Sequence, residues 1–235
     1  MFRSSALALA WLLSLAGAPR VLPAQSVSGL PLHEVAGAGP GGDRLALLLT
    51  GDGGWAGIDK DIARTLADSG IAVVGLDLAT YLHVRRTPAE VAHDAARILT
   101  HYLAAWDRRR IVVVGYSRGA EIAPFLVRRL PDSLQARIDL VAMLGLATRA
   151  GFHVTMLDLL KSTSNPKDPP VEPEIQALAE ARIPMLCVYG AEEAESYCRD
   201  APEGLMTRIG KSGGHHFDGD HHALARDILA ALPRP

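Results

Sequence analysis

The chain has 235 residues, 49% of them hydrophobic, with 24 basic and 26 acidic side chains and a formal net charge of −2. That length supports one sizeable α/β core, and no low-complexity break divides it into a second domain. The near-neutral charge excludes the basic footprint of a nucleic-acid binder.

The first segment, residues 1–24, has the layout of a secretory signal peptide: Arg3 is a short positive start, Ala6 to Ala18 is apolar, and Leu22-Pro23-Ala24 offers a small residue before Gln25. The apolar part is shorter than the ~20 residues a spanning helix needs. Its removal leaves 22 of the 24 basic side chains against all 26 acidic ones, a formal charge of −4. Residues 25–235 are then expected to form a single domain, exported to a periplasm. The two cysteines, Cys187 and Cys198, are expected to pair there and close a small loop.

Along the remainder, short apolar runs alternate with helical patterns. Leu45 to Leu49, Ile71 to Leu76, Ile111 to Val114, Ile138 to Leu146 and Met185 to Tyr189 read as strands buried on both faces. Ile58, Ile62, Ala63, Leu66 and Ala67 recur at helical spacing, and Thr87-Pro88-Ala89-Glu90 is a capping box opening a helix to about Trp106. The alternation predicts a mainly parallel sheet flanked by helices, with the site at the carboxyl ends of the strands. Irregular sequence from Ala147 to Pro173 follows the Ile138 to Leu146 run. It reads as an insertion over the site, with Phe152, Met156, Leu157 and Leu160 as candidate apolar walls.

Gly115-Tyr116-Ser117-Arg118-Gly119 lies where the Ile111 strand meets a helix-like run, Ala120 to Leu130. In that context G-x-S-x-G is a nucleophile elbow, whose turn pushes the serine hydroxyl out above the sheet. A serine hydroxyl needs a histidine to take its proton and a carboxylate to orient that histidine. In α/β-hydrolases these follow in the order serine, acid, histidine. Here Gly213-Gly214-His215-His216-Phe217 follows a final strand, Met206 to Ile209, and His215 is favoured over His216 as the base. The acid belongs in the loop after Tyr189, where Glu193, three residues beyond Gly190, is the expected acid and Glu195, three before Cys198, is its rival. Crowding of His215, His216, Asp218, Asp220, His221 and His222 also raises a metal site, but adjacent histidines point apart and His221-His222 looks like the start of a terminal helix. No metal or other cofactor is therefore expected. The oxyanion hole is expected from the backbone N–H of Arg118 and that of Asp52 or Gly53, in the glycine-rich loop Gly51 to Trp55.

Thr50-Gly51-Asp52-Gly53-Gly54-Trp55, Arg86-Thr87-Pro88, the elbow with Pro124-Phe125 and Arg129-Leu130-Pro131, Cys187-x-Tyr189-Gly190-x-Glu192-Glu193, and Gly213 to Gly219 together resemble the VirJ/AcvB bacterial virulence protein family. The match covers nearly all of the expected mature chain. The resemblance implies an exported α/β-hydrolase-like protein, a periplasmic serine hydrolase that removes the aminoacyl group from aminoacylated phosphatidylglycerol at the membrane surface. It also implies possible links to type IV secretion, with secretion-system proteins as partners of a non-catalytic accessory as the alternative. The chain departs from the family pattern with Glu195 where an aspartate is common and with Arg118 where an aromatic residue is common. Arg118 is expected to point outward into solvent, the other option being a guanidinium paired with a phosphate. Asp52 or Glu121 is expected to meet the free amine of an aminoacyl group, or else to be structural. The length suggests a single-domain member, whereas AcvB-like proteins carry an additional N-terminal portion.

Overall fold

A computed structural model describes residues 26–38, 42–155 and 165–234. The expected signal segment, and Met156, Leu157 and Leu160 of the expected apolar wall, lie outside the described residues. Seven strands form one sheet: β1 (Leu32–Val35), β2 (Arg44–Leu49), β3 (Ala72–Leu76), β4 (Arg110–Tyr116), β5 (Ile138–Leu144), β6 (Met185–Gly190) and β7 (Thr207–Lys211). Their order is β1-β3-β2-β4-β5-β6-β7. Every neighbouring pair is parallel except β1 with β3, where Leu32 faces Leu76 and Val35 faces Val73 in antiparallel register.

Each central strand buries both faces, so its residues divide by parity between two cores. Leu45, Leu47 and Leu49 join one core with α3 (Pro88–Ala105), α4 (Arg118–Arg128) and α6 (Glu172–Glu180). Ala46 and Leu48 join the other with α1 (Gly57–Asp68) and α8 (His221–Ala231). Short helices α2 (Leu78–Tyr81), α5 (Asp132–Gln135) and α7 (Tyr197–Asp200) complete the set. Helix α3 starts as its sequence predicts: the Thr87 hydroxyl accepts from the Glu90 N–H, the Glu90 carboxylate accepts from the Thr87 N–H, and the helix ends at Trp106.

The cysteines form the expected disulfide, with Cα atoms 5.5 Å apart. It ties the middle of β6 to α7 and so closes the loop that leaves the carboxyl end of β6. The segment expected to be an irregular insertion does leave β5 without regular structure, but it rejoins the fold two residues early because α6 begins at Glu172. Its two described arms pair through Ala150 N–H to Pro169 O at 3.0 Å and Val171 N–H to Thr148 O at 3.0 Å. Among the described residues no helix is long and apolar enough to cross a membrane.

Candidate active site

Ser117 sits between β4 and α4 with φ 53° and ψ −115°, a left-handed backbone conformation that non-glycine residues adopt only when their surroundings enforce it. The surroundings here are the flanking glycines. A β-carbon on Gly115 would overlap the Gly119 carbonyl, and one on Gly119 would overlap the Leu49 carbonyl of β2. Only glycine lets strand and helix pack this closely. The Ser117 N–H donates to Leu144 O at 2.8 Å, which anchors the turn to β5.

His215 Nε2 lies 2.8 Å from Ser117 Oγ, and His215 Nδ1 lies 2.8 Å from Glu193 Oε1. One imidazole therefore bridges the hydroxyl and the carboxylate. The Glu193 side chain is only 3% exposed, whereas that of His215 is 42% exposed and faces the cavity. The second oxygen, Glu193 Oε2, is buried with no hydrogen-bond partner among the described residues.

Backbone contacts hold this pair of loops in register. The Ala191 and Glu192 N–H groups donate to Lys211 O and Gly213 O at 2.8 and 3.0 Å, so the loop after β6 is zipped to the segment after β7. Arg199 Nη1 donates to the Glu193 carbonyl at 2.8 Å from within the disulfide-linked region. Glu195, the other candidate acid, turns away: its carboxylate accepts from the Thr148 N–H at 3.1 Å and from the Thr148 hydroxyl. His216 also turns away, with Nδ1 2.9 Å from Tyr116 Oη. His221 and His222 open α8 and reach back to α1, on Asp61 at 3.0 Å and Thr65 at 2.8 Å. Among the described residues no three His, Cys, Asp or Glu side chains group to hold a metal ion.

A cavity of about 1120 Å³ opens over Ser117. The glycine-rich loop after β2 lines it through Gly51, Asp52 and Gly53, and the insertion lines it through Phe152 and His153. Phe152 is the described member of the expected apolar wall, packed edge-on against Phe125 with ring centres 5.3 Å apart.

Arg118 does not point outward. Its side chain is 13% exposed and makes a fork on Asp52, Nε to Oδ1 at 2.9 Å and Nη2 to Oδ2 at 3.1 Å. Nη1 donates to Glu121 Oε2 at 2.7 Å. The solvated orientation expected from sequence fails because two acids stand within reach in a partly desolvated cleft, where a guanidinium pairs better than it hydrates. The same contacts favour the structural option for Asp52 and Glu121: both carboxylates are engaged by Arg118. Burial pushes the Glu121 carboxyl up to about 7, against the lowering effect of Arg118 and of the Gly151 N–H that Oε2 accepts at 3.1 Å.

The chain matches the family described as bacterial virulence protein (VirJ) over residues 43–234. It belongs to that family. No curated protein sequence matches this VirJ-family chain. Among solved structures it is similar to MenH from S. aureus, at 13% identity and TM-score 0.60 over 85% of this chain and 97% of that one. An alpha-beta serine hydrolase homologue from Coxiella burnetii superposes at 14% identity and TM-score 0.58, over 86% and 91% of the two chains. The thioesterase domain from the curacin biosynthetic pathway does so at 17% identity and TM-score 0.55, over 84% and 94%. These likenesses show the α/β-hydrolase fold, in agreement with the order of strands described above.

Two residues that sequence reasoning missed complete the VirJ-family site. Gly145, at φ +66° after β5, lies under the imidazole, and a β-carbon there would come within 2.8 Å of His215 Cε1 and 3.2 Å of Glu193 Oε1. Tyr116, beside the serine, stacks on the His215 ring at 5.4 Å and donates to the His215 carbonyl at 3.3 Å. The aromatic in the elbow pattern was visible; its contact with a residue 99 positions away was not.

Proposed function

We propose that this protein is an exported serine esterase in which Ser117 is the nucleophile, His215 the general base and then acid, and Glu193 the group that orients and stabilises the imidazolium. The observation that carries this reading is the single imidazole bonded at 2.8 Å to both the elbow hydroxyl and a buried carboxylate. Ser117 Oγ attacks an ester carbonyl while its proton passes to His215 Nε2. The tetrahedral oxyanion is held by the backbone N–H of Arg118 and that of Asp52 or Gly53. Its collapse releases the alcohol, which takes the proton from His215, and a water molecule activated by the same imidazole then releases the acid. Glu193 stays ionised throughout.

The ester we assign is the aminoacyl ester of an aminoacylated phosphatidylglycerol. Support comes from membership of the VirJ family and from the cavity's charges. With Asp52 and Glu121 both paired to Arg118, two exposed charged side chains remain on its walls in no described contact, Arg85 and Glu192. They leave the sheet on opposite sides of Ser117, Arg85 beyond β3 and Glu192 beyond β6. An aminoacyl phospholipid carries an ammonium on the acyl side of its ester and a phosphodiester on the alcohol side, which suits Glu192 and Arg85 respectively. The disulfide supports an oxidising compartment such as the periplasm.

The test is labelling of purified protein with a fluorophosphonate probe, with Ser117→Ala as control, followed by hydrolysis of lysyl- and alanyl-phosphatidylglycerol against simple acyl esters. Folded protein that takes up no label sinks the enzyme and leaves a non-catalytic secretion accessory on a hydrolase fold. Labelling with turnover of simple esters alone removes the lipid assignment and keeps the esterase.

A further inference from the structure

We infer that the Arg118 side chain is a positioning residue for the oxyanion hole: its guanidinium fixes the loop that carries one hole donor against the helix that carries the other. This rests on the esterase reading and adds to it a residue whose part is played through backbone amides of another segment. An oxyanion hole works only if its two donors are set in advance at hydrogen-bond distance from one developing charge. Here those donors belong to segments far apart in the chain, the first turn of α4 and the loop after β2.

Among the described residues the β2 loop's own backbone ties are two, Gly54 N–H to Gly51 O at 3.1 Å and Ala56 N–H to Gly54 O at 2.7 Å, and neither reaches α4. The loop contains Gly51, Gly53 and Gly54, the last at φ +69°, and a β-carbon on Gly53 would meet nothing within 4 Å. Trp55 anchors its far end, against Gly75 and stacked on His33 at 4.7 Å. At the cavity end Asp52 takes both oxygens to the Arg118 fork. A bidentate guanidinium–carboxylate pair fixes direction as well as distance, and one whose side chains are 13% and 21% exposed is screened less than a surface pair. The third nitrogen extends the tie. Through Glu121 Oε2, which also accepts from the Gly151 N–H, the same guanidinium holds the first arm of the insertion beside the hole. A β-carbon on Gly151 would overlap the Arg118 guanidinium where it now stands, so any larger residue there would shift that side chain.

A cluster that only neutralised buried charge would affect stability and leave the chemistry alone. The two roles separate in kinetics on a neutral, amine-free acyl ester, which gives Asp52 and Glu121 no substrate charge to meet. Arg118→Lys, which keeps the charge and loses the fork, and Asp52→Asn are each expected to lower kcat roughly 30- to 100-fold with KM within about threefold, below the roughly 10²- to 10³-fold of removing a hole donor because the donor is displaced and not lost. Affinity for a boronic acid, which forms a tetrahedral adduct on Ser117, should fall by a matching factor. An Arg118→Gln and Asp52→Asn double variant should be no slower than the worse single variant, because each breaks the same tie. Fluorophosphonate should still label all of them at Ser117, and thermal unfolding confirms that each is folded. Should Arg118→Gln not fold, Arg118→Lys and Asp52→Asn decide between them. Unchanged kcat in both, a loss carried by KM, or multiplying losses in the double variant overturns the inference. A wild type that neither labels nor turns over esters overturns the parent reading instead.

Discussion

Two polar clusters flank Ser117, and they are built to opposite ends. On one side, His215 and Glu193 form a chain with a partly open imidazole and a buried carboxylate oxygen that has no described partner. On the other, Arg118, Asp52 and Glu121 close on one another, and the guanidinium spends its nitrogens on the two acids. A group that gains charge during a reaction needs a fixed partner that stabilises the charged form when it appears, as Glu193 does for His215. A group that holds loops in place should gain nothing further. The difference separates chemistry from scaffolding within one cavity, and each substitution below tests on which side of that line a residue falls.

The largest effect is expected from Glu193→Gln, because an amide can hold the wrong tautomer of His215 and cannot stabilise its charged form. Turnover should drop roughly 10³- to 10⁴-fold with labelling much slowed. Glu195→Gln, whose side chain can still accept from Thr148, should change turnover less than threefold. Similar losses in the two variants would mean that the resting geometry misassigns the acid.

Next comes the disulfide, which supports the chain side of the comparison. Closing the short loop between Cys187 and Cys198 is worth about 3 kcal/mol in the loop-entropy model. Replacing both cysteines by serine should lower the melting temperature by about 6 to 12 °C for a protein of this size. Since Glu193 lies inside that loop, esterase turnover at 25 °C should fall as well. Turnover that is untouched would show that the backbone zipper to Lys211 and Gly213 suffices to hold the acid.

Smaller still are the two uncommitted charges at the cavity walls. Arg85→Gln should raise KM for an aminoacyl phospholipid about two- to fivefold, roughly the 0.5 to 1 kcal/mol of one exposed charge contact, and leave a neutral ester unaffected. Glu192→Gln should do the same for lysyl and alanyl esters but not for an ester without an amine. Equal effects on all substrates would move these residues from recognition to scaffolding.

How much of this was legible beforehand depended on range along the chain. The elbow could be read because strand, serine, glycines and helix lie within twenty residues, and the α3 cap because its partners are three residues apart. Glu193 could be favoured over Glu195 but not separated from it, since both sit in one loop and only the fold turns one toward His215 and the other toward Thr148. The edge strand Leu32–Val35 escaped because Leu-His-Glu-Val is short, half-buried and mixed in character. Arg118 was misjudged for a related reason. Its partner Asp52 is 66 positions away, and a side chain's orientation is decided by what the folded chain brings to it.

The smallest effect on turnover is expected at a buried acid behind the cavity wall that belongs to neither cluster. Asp59 in α1 is 1% exposed, and burial pushes its carboxyl from 3.8 up to about 7 despite the Ala56 N–H that one oxygen accepts at 3.1 Å. Its other oxygen is buried with no hydrogen-bond partner among the described residues. Because the folded-state value lies above the unfolded one, the folded protein holds more protons between pH 4 and 7, and stability falls as pH rises through that window. Asp59→Asn keeps an oxygen for the Ala56 N–H and removes the charge. It should leave the melting temperature near pH 4 unchanged and raise stability at pH 8 by as much as about 4 kcal/mol, flattening that part of the pH profile. A variant equally destabilised at both pH values would mean that Asp59 is held ionised by contacts stronger than the cap, and would place it with the satisfied, scaffold-like groups around Arg118.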